Sequence, residues 1–131
     1  MLRYLLDTSL CVHVIRGKDP LLLGKFNRHA EQICISTIVL AELRYGAENS
    51  TRVAQNLDAI EKFTARLAIL MFDDAAACHF GRIKLALKGT PIGPLDTLIA
   101  AHARSADLIV VTDNVGEFAR VPDLRVENWL R

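Results

Sequence analysis

Four carboxylates, Asp7, Glu42, Asp96 and Asp113, stand where an α/β chain collects an active site. Asp7 closes the apolar run Leu2-Arg3-Tyr4-Leu5-Leu6, and Asp113 follows Leu108-Ile109-Val110-Val111-Thr112. Each reads as an acid at the C-terminal end of a buried parallel strand, the edge at which open α/β sheets bind ligands. Glu42 and Asp96 read as residues in the opening turns of two apolar helices that can point at the same place. Two unit charges about 4 Å apart repel by about 1 kcal/mol in bulk water and about 4 kcal/mol at an effective dielectric near 20. Four such charges without a basic partner push some of their pKa values upward. A divalent cation reverses that penalty. Mg²⁺ and Mn²⁺ are hard ions that prefer carboxylate and water oxygens, so they suit this donor set. Such an ion can activate water and neutralise a phosphorus centre under attack, which requires no Cys or His nucleophile.

Each acid also has a plainer reading. Asp7 and Asp113 can act as helix N-caps, with Asn114 as a second cap candidate. Asp96 can complement a helix dipole. Glu42 can be an exposed helix residue, although Leu40, Ala41 and Leu43 around it argue against a fully solvated face.

The elements that must position these acids alternate between strand and helix. Leu2–Leu6, Gln32–Ser36, Leu67–Phe72, Leu108–Thr112 and Leu124–Glu127 read as strands, the last at an edge. Between them lie helices over Leu10–Arg16, Leu21–His29, Thr37 to about Asn49, Thr51 onward, Asp73 or Asp74 onward, and Leu95–Ser105, with one turn at Asn114–Phe118. Gly89-Thr90-Pro91-Ile92-Gly93-Pro94 is a rigid loop. Alternation of this kind predicts an α/β fold with three layers, α/β/α, around a central parallel sheet of four or five strands. No linker or repeat divides the chain, so one domain spanning 1–131 is expected. One side of the long apolar helices over 37–67 is either core or a protein interface.

Composition narrows the class. At 51% apolar residues and a formal charge of +1, the chain is a globular protein and not a strongly basic nucleic-acid binder. Arg44, Arg52, Arg66, Arg82, Lys84, Lys88 and Arg104 either form a basic rim around an acidic centre or are scattered surface charge. Cys11, Cys34 and Cys78 lie far apart among apolar residues and read as small buried hydrophobes of a reducing compartment. No zinc-site spacing is present, and the four histidines are not clustered; His102 reads as packing or surface. Asp7 interrupts the N-terminal apolar run, so no signal peptide is expected, and no run approaches the ~18 residues of a membrane span. A cytoplasmic protein without membrane contact is expected.

Asp7-Thr8-Ser9 after a strand, Ala41-Glu42-Leu43-x-x-Gly46, Gly93-Pro94-Leu95-Asp96-x-x-Ile99-Ala100 and Val111-Thr112-Asp113-Asn114 together resemble the PIN-domain ribonucleases. The closer likeness is to the VapC toxins of VapBC toxin–antitoxin pairs, and it runs from Leu2 to Trp129. The resemblance implies a metal-dependent RNA endonuclease that uses Mg²⁺, with Mn²⁺ as a substitute, and is restrained by a VapB-like antitoxin. It implies that Asp7, Glu42, Asp96 and Asp113 are the catalytic and metal-binding quartet, supported by Thr8, Ser9, Thr112 and Asn114. It implies a structured RNA substrate, tRNA, with the anticodon region of initiator tRNA as the target and inhibition of translation as the effect. A homodimer and a larger complex with the antitoxin are implied as well. The position after Asp-Thr is usually Asn in this family and is Ser9 here, which removes the amide's longer reach. Arg44, Lys84 and Lys88 are the candidate phosphate contacts.

Rivals account for less. A phosphoacceptor receiver domain would need a Lys after the fourth strand, and a phosphotransferase with an Asp nucleophile would want a second Asp where Ser9 stands. No Gly-x-Gly-x-x-Gly follows the first strand, which excludes a dinucleotide enzyme. The remaining alternative is a non-catalytic RNA- or protein-binding module on the same fold, but such a module gains nothing from acids facing phosphate.

Overall fold

The computed structural model describes residues 1–130, so the last position of the expected 1–131 domain lies outside the described residues. Five strands form one sheet in the order β3-β2-β1-β4-β5, and every neighbouring pair is parallel. They are β1 (Tyr4–Leu6), β2 (Ile33–Ser36), β3 (Ala68–Leu70), β4 (Ile109–Val111) and β5 (Val126–Glu127). The three central strands are buried along their whole length, which is why they read as unbroken apolar runs and not as alternating ones.

Seven α-helices connect the described strands. They are α1 (Thr8–Arg16), α2 (Pro20–Arg28), α3 (Thr37–Glu48), α4 (Val53–Thr64), α5 (Asp74–Ala86), α6 (Pro94–Ser105) and α7 (Val115–Phe118). The chain winds outward from β1 through β2 to β3, then crosses back to β4 and β5. Right-handed crossovers put α1–α4 on one face and α5–α7 on the other, so the expected three-layer architecture is present. α1 packs on α2, α3 and α4, and α5 packs closely along α6. Order reverses between β1 and β4, and the crevice at such a switch point is where α/β sheets place ligands.

The helix boundaries follow from local chemistry. Asp7, Asp19, Ser36 and Asp73 each accept a backbone N–H at the start of α1, α2, α3 and α5. Gly17, at φ 67°, ends α1 in the left-handed conformation that glycine adopts without strain. Below the sheet edge, Phe26 stacks on Phe63 with ring centroids 5.8 Å apart, and Trp129 meets Tyr4 edge-on at 4.9 Å.

Several expectations need adjustment. The strand expected over Leu67–Phe72 is three residues long, because Met71 turns out to solvent beyond the last pairing with β2. The final edge strand shrinks to Val126–Glu127. α4 starts at Val53 and not at Thr51, since the Ser50 side chain first holds the Arg52 amide and the Asn56 amide group. Cys11 and Cys34 are buried as expected, but Cys78 is exposed on the outer face of α5. Glu42 is the sixth residue of α3 and therefore sits in its second turn. Among the described residues no helix is long and apolar enough to cross a membrane.

His102 ties the two layers together under the site. Its Nδ1 lies 2.7 Å from the Ser36 hydroxyl, and both residues are buried. Ser36 Oγ also accepts the Ile38 amide at 3.0 Å, and the Met71 carbonyl faces the ring's other side. Burial lowers the ring's pKa below the ordinary histidine value, which favours the neutral form. In that form an Nε2 proton faces the Met71 carbonyl and the Ser36 hydroxyl donates to Nδ1. Ser36→Ala removes a helix cap, worth about 1 kcal/mol, and strands a buried acceptor, worth about 1–3 kcal/mol. We expect a loss of about 2–4 kcal/mol in urea denaturation with an unchanged slope.

Candidate active site

Strand pairing brings the two chain-distant acids together. Leu6 lies opposite Val111, and the Asp7 amide donates to the Val111 carbonyl at 3.0 Å. Asp7 and Asp113 thus leave adjacent strand ends at the switch point. Asp7 is 4% exposed. Its Oδ1 accepts the Leu10 amide at 3.0 Å and lies 3.0 Å from the Ser9 hydroxyl, while Oδ2 accepts from the Thr112 hydroxyl. Asp7 is therefore a helix cap and a site carboxylate at once, with a lone pair left on Oδ2. Burial raises its pKa, and the hydrogen bonds only partly offset that.

The residues that follow Asp7 in the chain organise the others. The Thr8 hydroxyl donates to Glu42 Oε1 at 2.6 Å, which aims the α3 acid at α1. The Ser9 hydroxyl lies 2.7 Å from Asp113 Oδ1. Thr112, fully buried, accepts the Asn114 amide at 2.9 Å and so fixes the bend after β4. Ser9 reaches both strand-end carboxylates, so the loss of reach expected from replacing Asn does not occur. What is lost is a proton, since one hydroxyl donates only once.

Asp96, third residue of α6, completes the group from the opposite layer. Its pKa is raised to about 7, first by burial, then by its contact with Glu117, then by the charges of Asp7 and Glu42. All three neighbours are acids, and two of them, Asp7 and Glu42, are predicted carboxylates; the fourth, Asp113, acts on Asp7. Glu117 is an acid that the sequence reading did not place at the site. It lies in the first turn of α7 and accepts from the Asn114 side chain. His13 is the second omission: its Nε2 lies 3.7 Å from Asp113 Oδ2. Its spacing from Ser9, one turn along α1, was the available signal.

No Lys or Arg pairs with these acids among the described residues; the recorded ion pairs of Lys and Arg are Arg44–Glu61, Lys62–Asp58 and Arg125–Asp107. Arg44 leans toward α4 at 3.8 Å from Glu61, and Lys84 and Lys88 border a depression of about 460 Å³ beside Pro91. None of the three touches the carboxylates in a recorded ion pair. A groove of about 420 Å³ opens beside Glu42 between α1, α3 and α4, with Val12, Ile15, Leu43 and Ile60 in its walls. Tyr45 on α3 is an exposed aromatic side chain, at 70%.

The donor set is all oxygen: carboxylates flanked by hydroxyls, with no thiolate near. That chemistry fits a hard dication and not a soft one. Among the described residues no three Asp, Glu, His or Cys side chains stand close enough to enclose an ion alone.

The PIN domain family profile matches residues 4–124, nearly the whole chain. The tRNA(fMet)-specific endonuclease VapC of Salmonella typhimurium is 47% identical over 98% of this chain and 99% of its own length. Ribonuclease VapC2 of Haemophilus influenzae is 47% identical over 99% of this chain and all of its own. This chain belongs to the VapC family of PIN-domain ribonucleases. The crystal structure of DNA-bound VapBC from Salmonella typhimurium superposes with a TM-score of 0.95 at 46% identity, covering 98% of this chain and 99% of that one. The resemblance read from the four acidic motifs is thus confirmed as family membership, and the VapC fold accounts for the parallel sheet and its switch-point crevice. As a member of that family the chain is a nuclease.

Proposed function

We propose that this chain, as one PIN domain over 1–131, is the Mg²⁺- or Mn²⁺-dependent endoribonuclease toxin of a toxin–antitoxin pair. The observation that carries the reading is the set of carboxylates that no Lys or Arg pairs with among the described residues, in which burial and neighbouring acids raise Asp96 to about 7. Asp7, Glu42, Asp96 and Asp113 are assigned to metal binding and catalysis. Thr8, Ser9, Thr112 and Asn114 hold them in place. When bound, the ion supplies Lewis acidity: it offsets negative charge building on the phosphate and eases deprotonation of water.

The protein's own groups prepare the site for this. The Leu10 amide and the Thr112 hydroxyl fix the plane of the Asp7 carboxylate, and Thr8 fixes Glu42. Burial and the neighbouring Glu117 raise the Asp96 pKa to about 7, so the apo pocket limits its charge until a cation arrives. Arg44, Lys84 and Lys88 are assigned to the RNA backbone, outside the acidic centre.

The substrate we assign is tRNA, initiator tRNA cut in its anticodon region, with arrest of translation as the consequence. The name of the Salmonella typhimurium relative supports that choice. The partner we assign is a VapB-like antitoxin, supported by the VapBC complex of the same organism. We assign its covering segment to the apolar groove beside Glu42, with an Arg reaching the acids in place of the cation. A homodimer within a larger toxin–antitoxin complex, in the cytoplasm, completes the reading.

The test is incubation of the purified chain with a labelled tRNA pool in Mg²⁺, Mn²⁺ or EDTA. The expected result is cleavage of initiator tRNA in either metal and none in EDTA. The new ends should be 5′-phosphate and 3′-hydroxyl. Cyclic 2′,3′-phosphate ends, or binding without cleavage in every buffer, overturn the proposal.

A further inference from the structure

Asp113 differs from the other acids in how it is held. Asp7 is anchored by a backbone amide and a buried hydroxyl, Glu42 by a short bond from Thr8. Asp113 sits in the exposed bend between β4 and α7, where its backbone does not fix its carboxylate. Both its oxygens instead face α1. Ser9 Oγ is 2.7 Å from Oδ1, and His13 Nε2 is 3.7 Å from Oδ2. Ser9 and His13 are four residues apart on one face of that helix, which is the spacing that lets two side chains grip a common group.

We propose that Ser9 and His13 act as a two-point clamp that orients Asp113 toward the cation site, and that His13 is a positioning residue of the nuclease. The inference rests on the metal-dependent reading above and adds to it a residue for which that reading had no role. Neither contact needs a charged imidazole. A neutral ring protonated at Nε2 donates toward Oδ2, and a small rotation of Asp113 closes 3.7 Å to a hydrogen bond. Two contacts are needed because the first is shared. Ser9 Oγ also stands 3.0 Å from Asp7 Oδ1, and its single proton cannot serve both carboxylates. Whenever that proton turns to Asp7, Asp113 depends on His13. Groups that orient a ligand carboxylate typically change metal affinity or activity by about 10–100-fold when removed.

The test is calorimetric titration of the full chain with Mn²⁺, paired with kcat and KM for tRNA cleavage. The variants are Ser9→Ala, His13→Ala, the double replacement and His13→Gln, each made with Asp113 and with Asp113→Asn. We expect the double replacement to weaken Mn²⁺ binding by about tenfold and to lower kcat more than it raises KM. His13→Gln should restore most of the loss, since its amide nitrogen reaches where Nε2 stood. With Asp113→Asn in place the same replacements should change nothing further. A wild type that binds Mn²⁺ while the double replacement leaves that affinity unchanged overturns the clamp alone. So does a loss that persists undiminished with Asp113→Asn, which would mean that α1 itself had been disturbed. A wild type that takes up no Mn²⁺ overturns the metal-dependent reading and the clamp with it.

Discussion

Asp7→Asn is expected to lower RNA cleavage by about 10³-fold or more, some 4 kcal/mol of transition-state stabilisation, while leaving the protein folded. The expectation follows from the double duty of this side chain. As a helix cap, Asn serves as well as Asp, because its oxygen still accepts the Leu10 amide. As a ligand for a hard cation, a neutral amide is far weaker than a carboxylate. The sign of the stability change discriminates further. Burial raises the Asp7 pKa, so its favourable contribution is complete below the unfolded value near 3.8 and is lost as pH rises through the folded one. At pH 7.5 without metal, the Asn variant should melt above the wild type. A variant that cleaves at the wild-type rate removes Asp7 from the ligand set, and one that fails to fold removes the clean separation of the two roles.

The second large effect is stabilisation by the cation and its dependence on pH. An ion bound only by the folded state adds about 2.7 kcal/mol at one hundred times its Kd. For a chain of 131 residues this raises the melting temperature by about 10 °C. Asp96 sets the pH range. With its folded pKa at about 7, it holds a proton below neutrality that the metal must displace. Apparent affinity for Mn²⁺ should therefore fall by roughly tenfold for each pH unit below that point. The apo protein shows the reverse trend from the same group. Asp96 stabilises fully below its unfolded value of 3.8, and that contribution is lost as pH rises through about 7. His102 works in the opposite sense: its lowered pKa makes stability complete above 6.5 and lost as pH falls. Melting curves of Asp96→Asn beside the wild type, with and without Mn²⁺, separate the two. If the shift with metal is the same at pH 5.5 and 8, Asp96 is not a ligand.

Much of this site is legible in the chain because each acid is tied to a strong local signal. Asp7 and Asp113 end buried strands, and apolar runs ending in an acid are conspicuous. Asp96 follows Gly93-Pro94, where a proline at the first helical position fixes the start of α6. His13 and Glu117 were harder to find for a physical reason. The His13–Asp113 contact exists only because β1 and β4 pair across more than a hundred residues, and nothing near His13 announces that pairing. Glu117 lies in a four-residue helix too short to show a periodicity. Strand limits also escape the sequence, since Met71 is apolar yet lies beyond the last hydrogen-bonded rung of β3. Cys78 misled in the same direction, being a small residue on a helix whose outer face is rich in alanine.

One nine-residue helix carries the adjustment of almost the whole centre. Asp7 caps α1, Thr8 and Ser9 open it, and His13 lies one turn on, while Val12, Ile15 and Arg16 of the same helix wall the neighbouring groove. Whatever wedges into that groove presses on the rod to which the anionic groups are fastened. A compact greasy inhibitor lodged there would spoil their alignment by tilting the rod, leaving every carboxylate uncovered and still without catalytic use.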